Sequence, residues 1–374
     1  CKVLVVTGCM AQRYKNEIIE EVPEVDAVLG TTSYGDILKA IREAMEGKHF
    51  QEFKDIDYLP EKLGKRVLTT GGHFGYLKIA EGCDKHCTYC IIPKLRGKFR
   101  SVPMERLVTQ AKEMAEEGVK ELILVAQETT VYGTDIYGKK SLHILLKELC
   151  KIKGIRWIRV LYCYPEEIYD ELIQTMKEEK KICHYLDLPI QHASDRILKR
   201  MGRRTTQAEL VEIVNKLRRE IPDIVLRTTL ISGFPGETQE DHEELMSFVD
   251  EMEFDRLGVF TYSPEEDTPA ATMPDQVAEE VKEARRDEIM ELQQEISYDK
   301  GTDRIGQELL VMIEGKVADE SAYIGRTYGD APKVDGYIFV QTGELLMTGD
   351  FAKVRVTGAL EYDLIGELAD EYTE

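Results

Sequence analysis

The feature that most constrains the fold is a sustained alternation of apolar, strand-like runs with helical stretches between residues 76 and 262. The predicted strands are Tyr76–Ala80, Glu121–Ala126, Trp157–Tyr162, Tyr185–Ile190, Ile224–Ile231 and Leu257–Tyr262. The predicted helices between them are Met104–Glu117, Ser141–Lys151, Pro165–Lys177, Thr206–Arg219 and Thr238–Glu251. Such α/β crossovers form either a doubly wound sheet or an incomplete (β/α)6 barrel, and the sequence leaves both open. In either fold, function belongs at the carboxyl ends of the strands.

A smaller α/β segment precedes this region. Its predicted strands are Val3–Val6 and Asp26–Leu29, and its predicted helices are Ala11–Val22 and Tyr34–Met45. This is the pattern of two βα units of a parallel sheet. Residues 48–72 lose the periodicity and are predicted to form a linker. The chain begins at Cys1 inside a strand-like run and without an initiator Met, so we expect a truncated domain whose natural start lies upstream.

The period of the pattern changes after a long charged helix predicted at Pro274–Tyr298. Short strands with a period of two follow at Leu309–Glu314, Ala322–Thr327, Tyr337–Gln341, Phe351–Thr357 and Tyr362–Gly366. This pattern is typical of a five-stranded antiparallel barrel or sandwich. We therefore predict three domains, at residues 1–60, 72–302 and 303–374.

Composition restricts the class of protein. The chain has 374 residues, including eight cysteines, and a formal net charge of −21. Clustered cysteines are more typical of cytosolic metal chemistry than of a disulfide framework. No apolar run approaches the ~20 residues of a membrane span, and no signal peptide opens the chain, so we expect a cytoplasmic protein without a membrane partner. The negative charge argues against nucleic acid as the partner of most of the surface.

Cys83, Cys87 and Cys90 form a C-x3-C-x2-C loop directly after the first strand of the alternating region. Thiolates this close can hold one metal centre, and a count of three leaves a position open for a reactant. The functional interpretation is a 4Fe-4S cluster whose open iron chelates the amino and carboxylate groups of a methionine-derived ligand. Tyr89 places an aromatic ring beside that cluster, where an adenine can stack. The alternative is a zinc site completed by His86.

Unusual residues also lie at other strand ends. Gln127 and Gln191 follow the second and fourth strands. Arg227 lies within the fifth strand, where a buried cation needs an anionic partner such as a carboxylate. His192 is more often a satisfied structural histidine than a functional one. The turn that begins at Gly233 is either a plain strand-to-helix turn or a close backbone approach to a ligand.

Two further features bear on the cysteine loop. Lys94, Arg96, Lys98 and Arg100 form a basic run just after it, which is either a solvated face or a contact with a negative partner. Cys9 follows the first strand of the chain, at the sheet edge where α/β proteins hold ligands. A lone buried cysteine is the alternative interpretation of Cys9.

The cysteine loop with its aromatic residue resembles the radical SAM signature. Together with further motifs, it makes the chain similar to the radical SAM methylthiotransferase family over nearly its whole length. Those motifs are Gly8-Cys9-Met-Ala-Gln12-Arg13, Val125-Ala-Gln127, Leu188-Pro-Ile-Gln191, Gly233-Phe-Pro-Gly-Glu237-Thr238 and Tyr262-Ser-Pro-Glu-Glu266. The resemblance implies a partial (β/α)6 TIM-like barrel, an N-terminal α/β methylthiotransferase domain and a C-terminal TRAM β-barrel.

The resemblance also implies a reaction. A reducing electron donor supplies one electron through a 4Fe-4S cluster on Cys83, Cys87 and Cys90. S-adenosylmethionine is then cleaved to methionine and a 5′-deoxyadenosyl radical, and a methylthio group is installed on an unactivated carbon.

Further residue roles follow from the family. Gln127, Gln191 and Arg227 would hold S-adenosylmethionine or the substrate. The family's second, auxiliary 4Fe-4S cluster uses three cysteines of the N-terminal domain, and only Cys9 matches one of them here. We therefore expect this chain not to hold the auxiliary cluster that the full-length protein would have.

Charge favours a protein substrate. From Gly301 to Glu374, six Lys and Arg stand against fifteen Asp and Glu, a net charge of −9. A domain this acidic would repel a phosphate backbone and attract a basic protein. The Glu265-Glu266 pair and the ending Glu361–Gly366 also resemble the branch that modifies a ribosomal protein (RimO-type). The resemblance thus implies methylthiolation of the β-carbon of an aspartate in the twelfth protein of the small ribosomal subunit.

Two alternatives stay open at this point. One is a tRNA adenosine methylthiotransferase of the MiaB type, which the acidic C-terminal domain disfavours. The other is a non-catalytic module whose cysteines hold zinc and whose acidic barrel docks a partner. Metal analysis separates the second from both enzymes, and mass spectrometry of ribosomal protein and tRNA separates the two enzymes.

The cysteine count predicts the metal content. Because Cys9 is the only auxiliary ligand present, we expect about one cubane per chain after anaerobic reconstitution. Iron and acid-labile sulfide analysis measures this content. A content of two cubanes would contradict the prediction.

Overall fold

The structure is a computed structural model that describes residues 1–59, 67–318 and 320–369. The N-terminal elements are β1 (Val5–Thr7), α1 (Cys9–Tyr14), α2 (Glu17–Glu21), β2 (Ala27–Leu29), α3 (Ile37–Met45) and β3 (Phe50–Glu52). The strands pair in parallel in the order β1-β2-β3, as the βα pattern predicts.

Two details of this N-terminal sheet differ from the prediction. Strand β3 lies inside the stretch predicted to be a linker, because three residues are too short to show a period. The predicted helix Ala11–Val22 is divided into α1 and α2, since Lys15 has a φ of 43° that ends the first helix. Residues 60–66 of the predicted linker lie outside the described residues.

The middle region contains the predicted alternation. Its elements are β4 (Phe74–Lys78), β5 (Ala80–Glu81), α4 (Ile92–Arg96), β6 (Arg100–Ser101), α5 (Met104–Glu116), β7 (Glu121–Val125), α6 (Thr134–Tyr137), α7 (Leu142–Cys150), β8 (Trp157–Val160), α8 (Asp170–Glu178), β9 (Ile182–Asp187), α9 (Asp195–Arg200), α10 (Gln207–Glu220), β10 (Val225–Ser232), α11 (Gln239–Met252), β11 (Arg256–Thr261) and α12 (Glu279–Thr302). Six strands pair in parallel in the order β4-β7-β8-β9-β10-β11.

This strand order decides between the two folds that the sequence left open. A doubly wound sheet reverses its strand order at a switch point, whereas here each strand lies next to its predecessor in the chain. The sheet is therefore the incomplete (β/α)6 barrel. Helices α10 and α11 begin with capping boxes at Thr206 and Thr238.

The C-terminal domain consists of β12 (Glu308–Lys316), β13 (Ala322–Thr327), β14 (Ile338–Gln341), β15 (Phe351–Ala359) and β16 (Leu364–Leu368). They close into a barrel in the order β12-β13-β14-β16-β15, so the predicted five-stranded barrel is confirmed. Strands β14 and β16 pair in parallel while the other pairs are antiparallel. In the part of the chain that the structure describes, no helix is both long and apolar enough to cross a membrane.

The two faces of the incomplete barrel are covered by different partners. The outer face contributes Leu122 and Leu124 to a core shared with the surrounding helices. The inner face contributes Ile123 and Trp157 to a second core, which is completed by Phe351 of the C-terminal barrel. The Trp157 and Phe351 rings meet edge to face with centroids 4.8 Å apart. The C-terminal barrel therefore fills part of the concave interior that an open sheet would expose.

A buried ion cluster joins the two domains at the same interface. The Glu121 carboxylate accepts from Arg159 Nε at 2.8 Å and from Arg326 Nη2 at 2.7 Å, and the side chains of all three are fully buried. Arg326 Nε also donates to Glu314 at 2.6 Å, which balances the charge. Burial raises the pKa of Glu121, but Arg326 and Arg159 together hold it below its ordinary value. Glu121 is therefore ionised at neutral pH.

Removing one member of this cluster tests whether it holds the domains together. Arg326→Ala leaves Glu121 with Arg159 as its remaining cation and Glu314 with His73, so each carboxylate loses a buried partner. We therefore expect a loss of about 3–5 kcal/mol in the free energy of unfolding. Arg286→Ala removes an exposed arginine that pairs with Asp287 and should cost less than about 1 kcal/mol. Urea titration measures both. Equal losses for the two variants would contradict the role of the cluster.

Candidate functional site

The cysteine loop lies between β5 and α4, at the carboxyl end of the first strand of the incomplete barrel. Cys83 and Cys87 are buried, Cys90 is half-buried, and all three are free thiols. Thr88, inside the loop, donates its amide to the Met201 carbonyl at 2.9 Å and its hydroxyl to the Arg200 carbonyl at 2.8 Å. The end of α9 thus fixes the loop that carries the three thiols.

A second anchor holds the start of the loop. The Gly82 amide donates to Gln127 Oε1 at 2.8 Å, and the Cys83 amide donates to the Gly97 carbonyl at 3.2 Å. Gly82 has a φ of 75°, and a Cβ at this position would overlap the carbonyl oxygen of Lys98. The Gln127 side-chain oxygen therefore positions the cysteine loop. Its side-chain nitrogen, Nε2, can donate a hydrogen bond to a ligand.

The environment of the thiols suits a soft metal. Burial raises the pKa of the Cys83 thiol to about 11, although the Lys85 amide, 3.4 Å from Sγ, opposes the shift. Burial likewise raises the pKa of Cys90, against the opposing Ile92 amide. These thiols are neutral at pH 7 without metal and must lose protons when a metal binds. Amide donors to sulfur are a feature of iron–sulfur sites.

The arrangement of ligands bears on the zinc alternative. Among the described residues, no three His, Cys, Asp or Glu side chains are grouped as a single metal ion requires, and His86 is exposed. A structural zinc site needs four ligands converging on one point. A cubane binds each thiolate at a different corner iron, so its ligands stand apart. Three free thiols on one short loop fit the corner irons of a cubane.

A cleft of about 370 Å³ opens beside the cysteine loop. Tyr89, Gln127, Gln191 and Arg227 all line it. These four residues come from four different loops or strands, and the parallel strand order brings them to one end of the barrel. The sequence reasoning selected each of them separately, and the structure brings them together.

Arg227 has the anionic partners that its position in a strand requires. Its Nη1 donates to Asp187 Oδ1 at 2.7 Å, and its Nε lies 3.3 Å from Asp335 Oδ1 of the C-terminal domain. Asp335 also accepts from the Tyr185 hydroxyl at 2.7 Å. The charge of Arg227 is thus already matched by two carboxylates. It fixes one wall of the cleft instead of standing free for a ligand carboxylate.

Gln191 has an unusual backbone. Its φ is 73°, in the left-handed region that non-glycine residues rarely adopt. The Gln191 amide donates to the Thr229 carbonyl at 2.9 Å, and its own carbonyl accepts from Ile231 at 2.8 Å. These bonds to β10 hold the residue in place, and its side chain lines the cleft.

Arg203, which the sequence analysis does not single out, lies behind the cleft wall, where its Nη2 donates to the Pro189 carbonyl at 3.1 Å and lies 3.5 Å from Glu166. Its side chain is 1% exposed and stacks on the Tyr164 ring, with Cζ 4.3 Å from the centroid. The Tyr164 hydroxyl lies 3.8 Å from Cys87 Sγ. The Nε and Nη1 atoms of Arg203 are buried without a hydrogen-bond partner among the described residues. Unpaired buried donors of a guanidinium fit a carboxylate ligand. Sequence carries no signal for this, because nothing local shows that Arg203 is buried.

The basic run after the cysteine loop pairs with groups of the chain itself. Arg96 donates from Nε to Cys9 Sγ at 3.2 Å, with Nη1 3.6 Å from Glu81. Arg100 lies 3.1 Å from Asp57, and Lys94 donates to the Asp267 carbonyl. The negative partner expected for this run is therefore largely intramolecular. The contact with Arg96 also places Cys9 beside the helix that follows the cysteine loop.

The acidic groups proposed to attract a basic substrate are partly used inside the protein. Glu265 and Glu266 both pair with Arg13 of the N-terminal domain. In the C-terminal domain, Asp330 pairs with Arg256 at 2.6 Å, and Asp335 faces the barrel interior. The sequence count of charges therefore overstates how much negative charge is free to meet a partner.

The Gly233 turn is structural. The Glu237 carboxylate accepts from the amides of Gly233 and Phe234 at 2.7 and 3.1 Å, and pairs with Arg285 at 2.9 Å. A Cβ at Gly233 would overlap Lys282 of α12, so the glycine permits helix packing. The fully buried His192 accepts from the Ser194 amide at Nδ1, while its Nε2 lies 3.5 Å from the same carboxylate and has no hydrogen-bond partner among the described residues.

Comparison with known families agrees with this architecture. The radical SAM superfamily matches residues 77–249, and the TRAM domain matches residues 305–369. The first match spans the incomplete barrel up to α11, and the second spans the five-stranded barrel.

Curated relatives match nearly the whole chain. The ribosomal protein uS12 methylthiotransferase RimO of Lachnoclostridium phytofermentans is 64% identical over 98% of this chain and 83% of its own length. The proteins of the same name in Clostridium perfringens and Clostridioides difficile are 53% and 49% identical, each over 99% of this chain and 83% of the relative.

The solved structures that match this chain have much lower sequence identity than these relatives. The cobalamin-dependent S-adenosylmethionine radical enzyme OxsB, with aqua-cobalamin and S-adenosylmethionine bound, is 14% identical, with a TM-score of 0.49 over 79% of this chain and 43% of that chain. Coproporphyrinogen III oxidase (HemN) from Escherichia coli is 17% identical, with a TM-score of 0.46 over 76% of this chain and 66% of that chain.

Two glycine variants test how tightly the cysteine loop is built. Gly82→Ala places a Cβ against the Lys98 carbonyl, so we expect the loop to shift and reconstituted iron to fall by about half or more. Gly138→Ala is the control, since Gly138 has a similar φ of 70° but open space around a Cβ. Iron and sulfide per chain are the measurement. Equal iron contents in both variants would contradict this account of the loop.

Proposed function

The chain belongs to the family of ribosomal protein uS12 methylthiotransferases, and we propose that it adds a methylthio group to the β-carbon of an aspartate in that protein. It is a radical SAM enzyme with a TRAM domain. One observation carries the residue assignments. A loop with three free thiols borders a cleft at the carboxyl ends of the parallel strands, and Tyr89 belongs to both.

Cys83, Cys87 and Cys90 would hold the 4Fe-4S cluster. Their support is the donor set of three thiols, two of them buried, on a loop anchored at both ends. The chemistry that this cluster and S-adenosylmethionine supply when bound is one-electron cleavage to methionine and a 5′-deoxyadenosyl radical.

The remaining side chains would bind and orient the cofactor. Arg203 is suited to the methionine carboxylate, because its buried Nε and Nη1 lack partners among the described residues. Gln127 can donate from its amide nitrogen while its oxygen holds Gly82. Tyr89 offers a ring at the cleft wall, packed edge to face on Phe234 with centroids 6.3 Å apart. The Gln191 side chain also lines the cleft.

Arg227 would act as a positioning residue. Its pairs with Asp187 and Asp335 tie the barrel wall of the cleft to the C-terminal domain. The partly apolar lining, which includes Leu161 and Pro189, would limit water near a reactive radical.

Cys9 would supply one ligand of an auxiliary 4Fe-4S cluster, which residues 1–374 by themselves are not expected to hold. Its contact with Arg96 supports this role, because Arg96 closes the helix that follows the cysteine loop. A cluster at Cys9 would therefore lie on the same side of the molecule as the radical SAM cluster.

Loss of one loop cysteine tests the cluster assignment. Cys87→Ala should abolish reconstituted radical SAM cluster iron and 5′-deoxyadenosine formation with reductant and S-adenosylmethionine, because two thiolates hold a cubane poorly. Cys163→Ala is the control, as Cys163 is a fully buried cysteine outside the loop. Stoichiometric zinc and no 5′-deoxyadenosine in the unmodified protein would overturn the proposal in favour of a zinc module.

The substrate is tested in cells lacking the gene. We expect the methylthio group on uS12 to be lost and methylthio-modified tRNA to be unchanged, as mass spectrometry of both fractions would show. Re-expression of the gene should restore the modified uS12. Loss of the tRNA modification with intact uS12 modification would overturn the proposed substrate.

A further inference from the structure

We propose that Tyr162, Phe260 and Val334 form an apolar rim that binds a protruding loop of the substrate protein around its target aspartate. This inference rests on the proposed function and names the surface that recognises the protein substrate. The three side chains come from separate places: the end of β8, the edge strand β11 and a loop of the C-terminal domain. All three line the same cleft.

The first argument is exposure. Tyr162, Phe260 and Val334 are 47%, 63% and 55% exposed, whereas Tyr185 and Asp187 in the same lining are buried. The cleft thus has a closed floor and an open apolar rim. Large apolar side chains grouped in an exposed position mark an interaction surface more often than chance exposure does.

The second argument is the backbone of Tyr162. Its φ is 59°, and a bulky residue in the left-handed region is a genuine outlier. The Tyr162 amide donates to Asp187 Oδ2 at 3.1 Å, and its carbonyl accepts from the Thr129 amide at 3.1 Å. A glycine would adopt this conformation at no steric cost. Tyr162 thus keeps a strained backbone conformation and carries an exposed aromatic ring at the cleft. Strained residues of this kind cluster at functional sites.

The third argument is that one network positions two parts of the rim. Asp187, which holds the Tyr162 backbone, also binds Arg227, and Arg227 pairs with Asp335 next to Val334. The position of Val334 relative to Tyr162 is therefore set by charged contacts across the domain interface. A rim built from two domains and fixed by ion pairs is suited to recognising a defined shape.

The volume of the cleft indicates which part of the substrate protein enters it. A cleft of about 370 Å³ is at the small end of the range for small-molecule sites, so it cannot enclose both a nucleoside cofactor and a large part of a protein. A side chain carried on a protruding loop fits, with its reacting carbon inside and its neighbours outside. The neighbours that meet Tyr162, Phe260 and Val334 would be apolar, since the rim side chains offer mainly apolar contact.

Two measurements test whether the rim binds the substrate protein or the cofactor. They are the affinity for uS12 and the cleavage of S-adenosylmethionine in the absence of uS12. For Phe260→Ala and Val334→Ala, we expect the Kd for purified uS12 to rise by about tenfold for the aromatic and less for the valine. Formation of 5′-deoxyadenosine without uS12 should stay at the wild-type rate, because the rim does not hold the cofactor. Tyr298→Ala, which removes a tyrosine of similar exposure on α12, is the matched control and should leave both quantities unchanged.

Tyr162→Gly provides a test that a folding defect cannot mimic. It should retain or raise the thermal midpoint, because glycine tolerates the backbone conformation, and still weaken uS12 binding. Wild-type affinity in Tyr162→Gly and Phe260→Ala would overturn the proposal. A fall in uncoupled 5′-deoxyadenosine formation in Phe260→Ala would also overturn it and assign the rim to the cofactor. If the wild-type protein itself fails to bind uS12, the proposed substrate fails instead.

Discussion

The structure depends on the burial of Glu121 between Arg159 and Arg326. Placing charges in a protein interior costs several kcal/mol per ion, which is recovered only if each finds its partners. Glu121 and Arg159 stand on the concave face of the incomplete barrel, and their remaining partners come from the C-terminal barrel. The open sheet therefore cannot satisfy its own interior, and the C-terminal domain has to dock there.

Docking of the C-terminal barrel determines where the cleft lies. Its Met312 and Phe351 occupy the part of the concave face near Phe74 and Trp157, at the amino-terminal ends of the strands. The carboxyl-terminal ends remain open and carry the cysteine loop. The same domain supplies Asp335 to Arg227, so the element that closes one end of the barrel also builds a wall of the site at the other. Folding and function are thus coupled through one interface.

Much of the fold was predictable because strand and helix periods are local properties of sequence. The six barrel strands, the long helix and the five-stranded barrel were all correctly predicted in existence and type. Strand β3 was missed because three residues show no period. Site prediction followed a similar division. Tyr89, Gln127, Gln191 and Arg227, which the sequence analysis singles out, all line one cleft, whereas Arg203 follows a helix and only its burial makes it unusual.

The sequence by itself determined the alternating architecture and the thiol loop, because residue spacing sets both the period of an element and the reach of its ligands. Only the tertiary structure decided which charges are free. Arg227, Glu265 and Glu266 are all conspicuous in sequence, yet each has an ion-pair partner from a distant part of the chain. Pairing depends on distances across domains, and no local pattern records them.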